Sequence, residues 1–415
     1  MNNFKIPKIR FMNFNDKWNY KTLDEISNSI EYGINAPAKD FDGNHKYLRI
    51  TDIDDTSRLF ITEKLSSPDI NFTAGDYENY KLQKNDLLFA RTGASVGKTY
   101  LYRKIDGKVY YAGFLIRARL HDSYDGNFVF QQTLTDKYKR FIEITSQRSG
   151  QPGVNGKEYG EWKIGMTSYD EQTAIGSLFR TLDDLLASYK DNLANYQSLK
   201  ATMLSKMFPK AGETVPEIRL DGFEGEWVEK RLKDISKRVT RKNNDLVSER
   251  ALTISAQFGL IDQEEFFQKK IASKDVSGYY LIKKGEFAYN KSYSTGYPLG
   301  AIKRLDKYEN GVLSTLYILF KAVDVDSDYL AHYYESDKWH REVSMCAAEG
   351  ARNHGLLNIA PADFFNTRLV IPKELEEQQA IGSYFSNLDN LINSHQEKIS
   401  QLETLKKKLL QDMFI

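Results

Sequence analysis

The stretch EQTAIGSLF, beginning at Glu171, returns as EQQAIGSYF beginning at Glu377, 206 positions later. Repetition at a fixed offset constrains a fold more than any other sequence feature, because it implies a structural unit made twice. The match extends without a gap from 171–208 to 377–414. Sixteen of these 38 positions are identical, including Gly176 with Gly382, Asp183 with Asp389, and Met207-Phe208 with Met413-Phe414. A fainter echo lies upstream at an offset of 209, where Arg10, Phe14, Trp18, Lys21, Leu23, Ile26 and Ser27 recur as Arg219, Phe223, Trp227, Lys230, Leu232, Ile235 and Ser236. The chain reads as two globular halves, each followed by one copy of the same helix.

Within the repeat, Ile175, Leu182, Tyr189, Tyr196 and Met203 recur every seven positions, and the second copy answers with Ile381, Leu388, His395, Leu402 and Leu409. Alternate positions carry Leu178, Leu185, Leu193, Leu199 and Met207 in the first copy, and Tyr384, Leu391, Ile399, Leu405 and Met413 in the second. A heptad stripe without proline predicts a long helix packed on another helix. Ser168 and Glu171 have capping-box spacing before the first stripe, while Pro372 precedes the second and Pro209 follows the first. A single stripe suits an amphipathic helix lying on its own domain. Duplication favours pairing, because a 38-residue helix is ~57 Å long and outreaches a domain of this size. The linker FPKAGETVPE spans at most ~35 Å, so the second half starts near the end of the first helix and the helices are expected to run antiparallel. Such a coiled-coil spacer matches roughly 17 base pairs at ~3.4 Å each. The expected boundaries are a globular domain over 1–168, a helix over 169–208, a linker over 209–218, a second domain over 219–375 and a second helix over 376–415.

With 415 residues and 41% hydrophobic content, each half can bury its own core. Cys346 is the lone cysteine, which excludes a disulfide framework or a multi-thiolate zinc site and points to a reducing compartment, by default the cytoplasm. The N-terminal MNNFKIPKIRFMNF has no apolar signal region, and GVLSTLYILFKAV at Gly311 is too short to span a bilayer, so no membrane association is expected. A net charge of +1 gives no global polyanion signature. Contact with nucleic acid would need local clusters such as KRVTRK (Lys237 to Lys242), KYKR (Lys137 to Arg140) or RAR (Arg117 to Arg119), each of which also suits a solvated face. Strand-like runs at KYLRI, NDLLFA, YYAGFLIRARL, GEFAYN and GVLSTLYILF precede helical candidates at NFVFQQTLTDKYKRFIEIT and DYLAHYYESDKWHREVS. This order predicts an α/β class, in α+β form, with mixed sheets in both halves.

Catalytic motifs are missing. TGASVGKT, from Thr92, resembles a phosphate loop, but Gly93 lies one residue too close to Gly97 for that motif, and a tight glycine turn after a buried strand explains it. The stretch NKSY at Asn290 lacks the prolines of an amino-methyltransferase loop. Asp69 with ENYK at Glu78 has the wrong spacing for a metal nuclease. His332 and His340 read as two polar positions on one helix. No catalytic, metal-binding or cofactor-binding residue is assigned. The glycine turn could still bring Arg91, Thr92, Ser95 and Lys98 to a phosphate backbone or base edges. On the same loop chemistry Arg148, Gln257, Lys291, Ser292, Tyr293, Ser294, Arg352 and Asn353 are further DNA-contact candidates.

The repeated EQxAIGSxF helices, with DLLFARTGASVGK and GEFAYNKSYSTGYPLGAI, make the chain similar to the specificity (S) subunits of Type I restriction-modification enzymes. The resemblance covers nearly the whole length. It implies two target recognition domains that each read one part of an asymmetric, bipartite double-stranded DNA site. It implies a helical spacer that sets the gap and docks two methyltransferase (M) subunits. Restriction (R) subunits would join for cleavage, and S-adenosylmethionine, ATP and Mg would be bound by those partners and not by this chain. The spacer and subunit-interface candidates are Glu171, Gln172, Ile175, Phe179, Leu182, Leu185 and Tyr189, with Glu377, Gln378, Ile381, Phe385, Leu388, Leu391 and Leu402. VIPKELEEQQ carries the proline expected ahead of the helix, whereas KIGMTSYDEQ does not. Two other readings remain: a two-domain coiled-coil protein scaffold, whose binding would not fall steeply with salt, and a nucleotide hydrolase using TGASVGKT.

Overall fold

The computed structural model describes residues 6–147, 150–255, 259–269, 275–292, 297–346 and 357–415. They group into two compact units, Met1–Asn192 with His395–Ile415, and Leu193–Ser394. The boundary therefore falls inside both long helices.

In the first unit the elements that shape the site are β1 (Asn19–Thr22), β2 (Ser27–Tyr32), β3 (Asp86–Ala90), β4 (Thr99–Leu101), β5 (Leu115–Leu120), α1 (Gly126–Gln132), α2 (Asp136–Thr145), β6 (Lys163–Met166) and the start of α3 (Tyr169–Lys206). A four-stranded sheet has the order β2-β5-β3-β4 and is antiparallel throughout, while β1 pairs with β6. Both faces of this sheet are covered. Side chains alternate along a strand, so Leu87 and Phe89 of β3 join the helical core with Phe128, Ile175 and Phe179, while Leu88 and Ala90 join a smaller core with Tyr100 and Tyr111.

The second unit repeats the plan with β7 (Val228–Arg231), β8 (Ser236–Val239), β9 (Phe287–Asn290), β10 (Ala301–Arg304), β11 (Ile318–Ala322), α4 (Ser327–Tyr333), α5 (His340–Cys346), β12 (Arg368–Ile371) and α6 (Leu375–Asp412). Its sheet order is β8-β11-β9-β10, and β7 pairs with β12. Phe89 faces Ile116 across the first sheet as Tyr289 faces Ile318 across the second, so Arg91 and Lys291 hold equivalent places just past the strand.

Several expectations change in detail. The four-stranded sheets are not mixed; among the described residues the one parallel strand pair joins Lys46–Leu48 to Val109–Tyr111. Each late helical candidate breaks in two. The Thr135 hydroxyl donates to the Gln132 carbonyl and accepts from the Tyr138 amide, ending α1's path and starting α2, and the Ser336 hydroxyl donates to the Tyr333 carbonyl at the matching place. Such local side-chain bonds compete with helix continuation. His332 and His340 consequently lie on different helices, α4 and α5. No helix among the described residues is long and apolar enough to cross a membrane.

The long helices are 38 residues each. In the first unit Lys406 pairs with Asp183 and Lys190 with Glu403, at 2.5 and 2.7 Å, so the two helical segments there run antiparallel. In the second unit Lys200 meets Asp389 at 2.5 Å and the Phe208 ring stacks on Phe385, again antiparallel. The heptad stripe is only partly a helix–helix seam. Ile175, Leu182, Ile381 and Leu388 are buried in their own units' cores, whereas Leu185 and Leu391 are 42% and 41% exposed.

Candidate nucleic-acid interface

The two sequence echoes turn out to touch each other. Glu171 is fully buried, and Arg10 donates Nε and Nη2 to its two carboxylate oxygens at 2.6 and 2.7 Å. Trp18 Nε1 donates to the same carboxylate at 3.2 Å, and the Thr167 hydroxyl donates as well. The second unit makes the same clamp: Arg219 donates to Glu377 at 2.7 and 2.8 Å and Trp227 Nε1 at 3.2 Å. A buried carboxylate needs a cation and satisfied lone pairs, which is why Arg10 and Trp18 recur together with the helix start. The hydrogen bond to Glu171 raises the Arg10 guanidinium above its ordinary value, and Glu377 does the same for Arg219.

Next to each glutamate the glutamine ties down a loop. Gln172 donates to the Thr167 carbonyl at 2.7 Å and accepts from the Asp125 amide at 3.1 Å; Gln378 donates to the Pro372 carbonyl at 2.9 Å and accepts from the Asp326 amide at 2.8 Å. Both bonds use a backbone carbonyl, so this contact does not require the proline that is missing before the first helix. One expectation is corrected here. Glu171 does not complete a capping box with Ser168, whose hydroxyl is buried without a hydrogen-bond partner among the described residues. Glu171, Gln172, Glu377 and Gln378, with Ile175, Phe179, Leu182, Ile381, Phe385 and Leu388, are buried in their own units. Leu185 and Leu391 are exposed, the Tyr189 ring lies tilted 5.2 Å from the His395 ring, and Leu402 is buried in the first unit's core.

In the second unit His332, Glu335 and Asp389 cluster with the spacing of a cation site. Lys200 already supplies the positive charge, 2.6 Å from Glu335 and 2.5 Å from Asp389, with Lys303 at 3.5 Å. Burial alone would raise the Glu335 carboxyl, but His332, Lys200 and Lys303 outweigh it and hold it well below the usual range. The first unit has Gln131 donating to Asp183 at 2.8 Å and Lys406 beside it.

The basic clusters are mostly spoken for. Arg117 is buried and paired with Glu31, Arg119 is paired with Asp86 at 2.8 Å, and Lys139 pairs with Asp136. Arg241 pairs with Glu286, and Lys242 donates to the Gly278 carbonyl while lying over the Tyr280 ring. Lys237 and Arg238, on β8, remain exposed.

The glycine turn after β3 forms as expected, with Gly93 and Gly97 at φ +77 and +84. Lys98 is 7% exposed, pairs with Asp55 at 2.7 Å and donates to the Ile50 carbonyl. Ser95 lines the same groove as Lys98. The Thr92 backbone bridges to Gly153, and the Arg91 guanidinium lies 5.2 Å from the Tyr32 ring and 5.7 Å from the Phe114 ring. Tyr32 and Phe114 are 42% and 60% exposed and were not candidates on sequence; YYAGFLIRARL reads as one buried strand, and only its break at Gly113 turns Phe114 outward. In the second unit Lys291 donates to the Ile359 carbonyl, with burial lowering its ammonium, and the Ser292 amide is held by Asn290. Arg148, Gln257, Tyr293, Ser294, Arg352 and Asn353 lie outside the described residues.

Comparison with known proteins points the same way. Residues 15–195 match the Type I restriction modification DNA specificity domain family. The chain is 22% identical over 344 residues to the Type I restriction enzyme MjaVIII specificity subunit of Methanocaldococcus jannaschii, covering 79% of this chain and 78% of that protein. Its fold is similar to the crystal structure of the Type I restriction-modification system S subunit from M. genitalium, at 17% identity and a TM-score of 0.62 over 99% of each chain. Residues 15–195 thus resemble a Type I restriction modification DNA specificity domain, and the second unit repeats the first unit's sheet order and glutamate clamp.

Proposed function

We propose that this chain is the DNA-recognition subunit of a Type I restriction-modification complex, with each unit reading one part of an asymmetric bipartite site in double-stranded DNA. The observation that carries the reading is the pairing of sameness with difference. The clamps at Glu171 and Glu377 are superposable in chemistry, yet the turns beyond β3 and β9 differ in most residues, Arg91 against Lys291 among them. A duplicated scaffold with unlike loops reads two unlike sequences. The long helices set the gap between half-sites, and two methyltransferase subunits dock on the chain. Restriction subunits complete the cleaving complex, and S-adenosylmethionine, ATP and Mg belong to the partners. The working compartment is the cytoplasm, and the chain itself performs no bond-making step.

Mapping methylated adenines genome-wide, with and without this chain alongside its methyltransferase subunit, tests the reading. A bipartite motif should appear only with the chain, and exchanging residues 1–168 for those of a relative should change one half of it. Methylation without any motif, or a motif altered in both halves by the exchange, overturns the proposal.

A further inference from the structure

We infer that Arg91 reads a guanine in the half-site recognised by the first unit, an assignment that rests on the DNA-recognition reading above. Five arginines of that unit are committed to carboxylates: Arg10 to Glu171, Arg49 to Asp52, Arg103 to Asp106, Arg117 to Glu31 and Arg119 to Asp86. Arg91 differs. Among the described residues no acid pairs with it and none accepts a hydrogen bond from its guanidinium, whose Nε is buried and unsatisfied. It is nevertheless held firmly. Its amide donates to the Phe114 carbonyl at 3.1 Å and its carbonyl accepts from Val154 at 2.9 Å, so the backbone is pinned from two sides. Tyr32 and Phe114 flank the guanidinium, and the Tyr32 hydroxyl accepts from the Gly156 amide at 3.0 Å, which fixes that ring.

A cation stacked on exposed aromatic rings keeps its planar fork oriented without neutralising it. That is more order than a phosphate contact needs, since a phosphate can be met by a flexible point charge. A donor-only fork fits an edge that offers two acceptors side by side. In the major groove this is guanine, through O6 and N7; adenine presents a donor beside its N7 and would oppose the same fork.

The test uses the assembled complex with its methyltransferase subunits and compares wild type, R91A and R91K. R91K keeps the charge and most of the stem but loses the fork, and thermal unfolding of each variant checks the fold. The wild-type motif should contain a guanine in the first unit's half-site at which both variants lose discrimination. Binding to the cognate duplex should fall about 10- to 100-fold, with the other half-site read as before. Replacing that guanine by 7-deazaguanine, which removes N7, should weaken wild type and have no further effect on R91A. If R91A does not fold, R91K carries the same comparison. An unchanged motif in the folded variants overturns the assignment. So does an equal loss on all sequences with the salt dependence shallower by about one ion, because that marks a phosphate contact. Absence of any bipartite motif with the wild-type complex is a separate result that removes the DNA-recognition reading itself.

Discussion

At the scale of single residues, the buried glutamate at the head of each long helix organises its unit. Glu171 with Arg10 and Trp18, and Glu377 with Arg219 and Trp227, tie the chain's first turns to a helix about 160 residues further on, since the Arg10 bond spans 161 positions. Removing one partner of a buried pair leaves a charge without compensation, at about 3–5 kcal/mol. Glu171→Ala should therefore lose about that much in urea unfolding, and the R10A/E171A pair should lose less than the sum of its single changes. Losses that simply add would mean the two side chains act independently. Both ends of this clamp are legible in the sequence as repeats at offsets of 206 and 209, but their contact is not, because a repeat carries no information about distance. The same limit applies to Lys98. That Asp55, 43 positions earlier in the sequence, lies beside this lysine of the glycine turn cannot be read from the turn itself.

At the scale of elements, the long helices were the most readable part; they were expected over 169–208 and 376–415 and run over Tyr169–Lys206 and Leu375–Asp412. What the stripe hides is that each helix serves two masters. Its first turns lean on the sheet of its own unit, and its last residues enter the core at the start of the other helix. Phe414 stacks 5.6 Å from Phe179 and also meets Trp18 and Phe128, while Phe208 stacks on Phe385 and meets Tyr329 and Tyr333. Phe414→Ala should cost about 3–5 kcal/mol, and hydrogen exchange should show that loss in the sheet of residues 27–120 and not in that of residues 236–322. Phe208→Ala should give the opposite pattern. The short helices were less legible, since their breaks depend on hydroxyls of Thr135 and Ser336 that bond locally and do not disturb the apolar pattern.

At the scale of the whole molecule, the duplicated plan was readable from the repeat alone, whereas the side chains around Arg91 were not. Loop residues follow no period, and Phe114 is outward only because its strand breaks at Gly113. If the helices set the gap between half-sites, seven residues added after Asn192 and seven after Ser394 leave the contents of both units intact. At ~1.5 Å per residue and ~3.4 Å per base pair, the unread gap in the methylation motif should widen by about three base pairs with both half-sequences preserved. An unchanged gap would remove the helices from that role. The division of the chain also dictates an order of events at the ribosome. Residues 193–394 form one continuous stretch and can close as soon as they emerge, but the first unit waits for Met413 and Phe414, so the half made first is finished last.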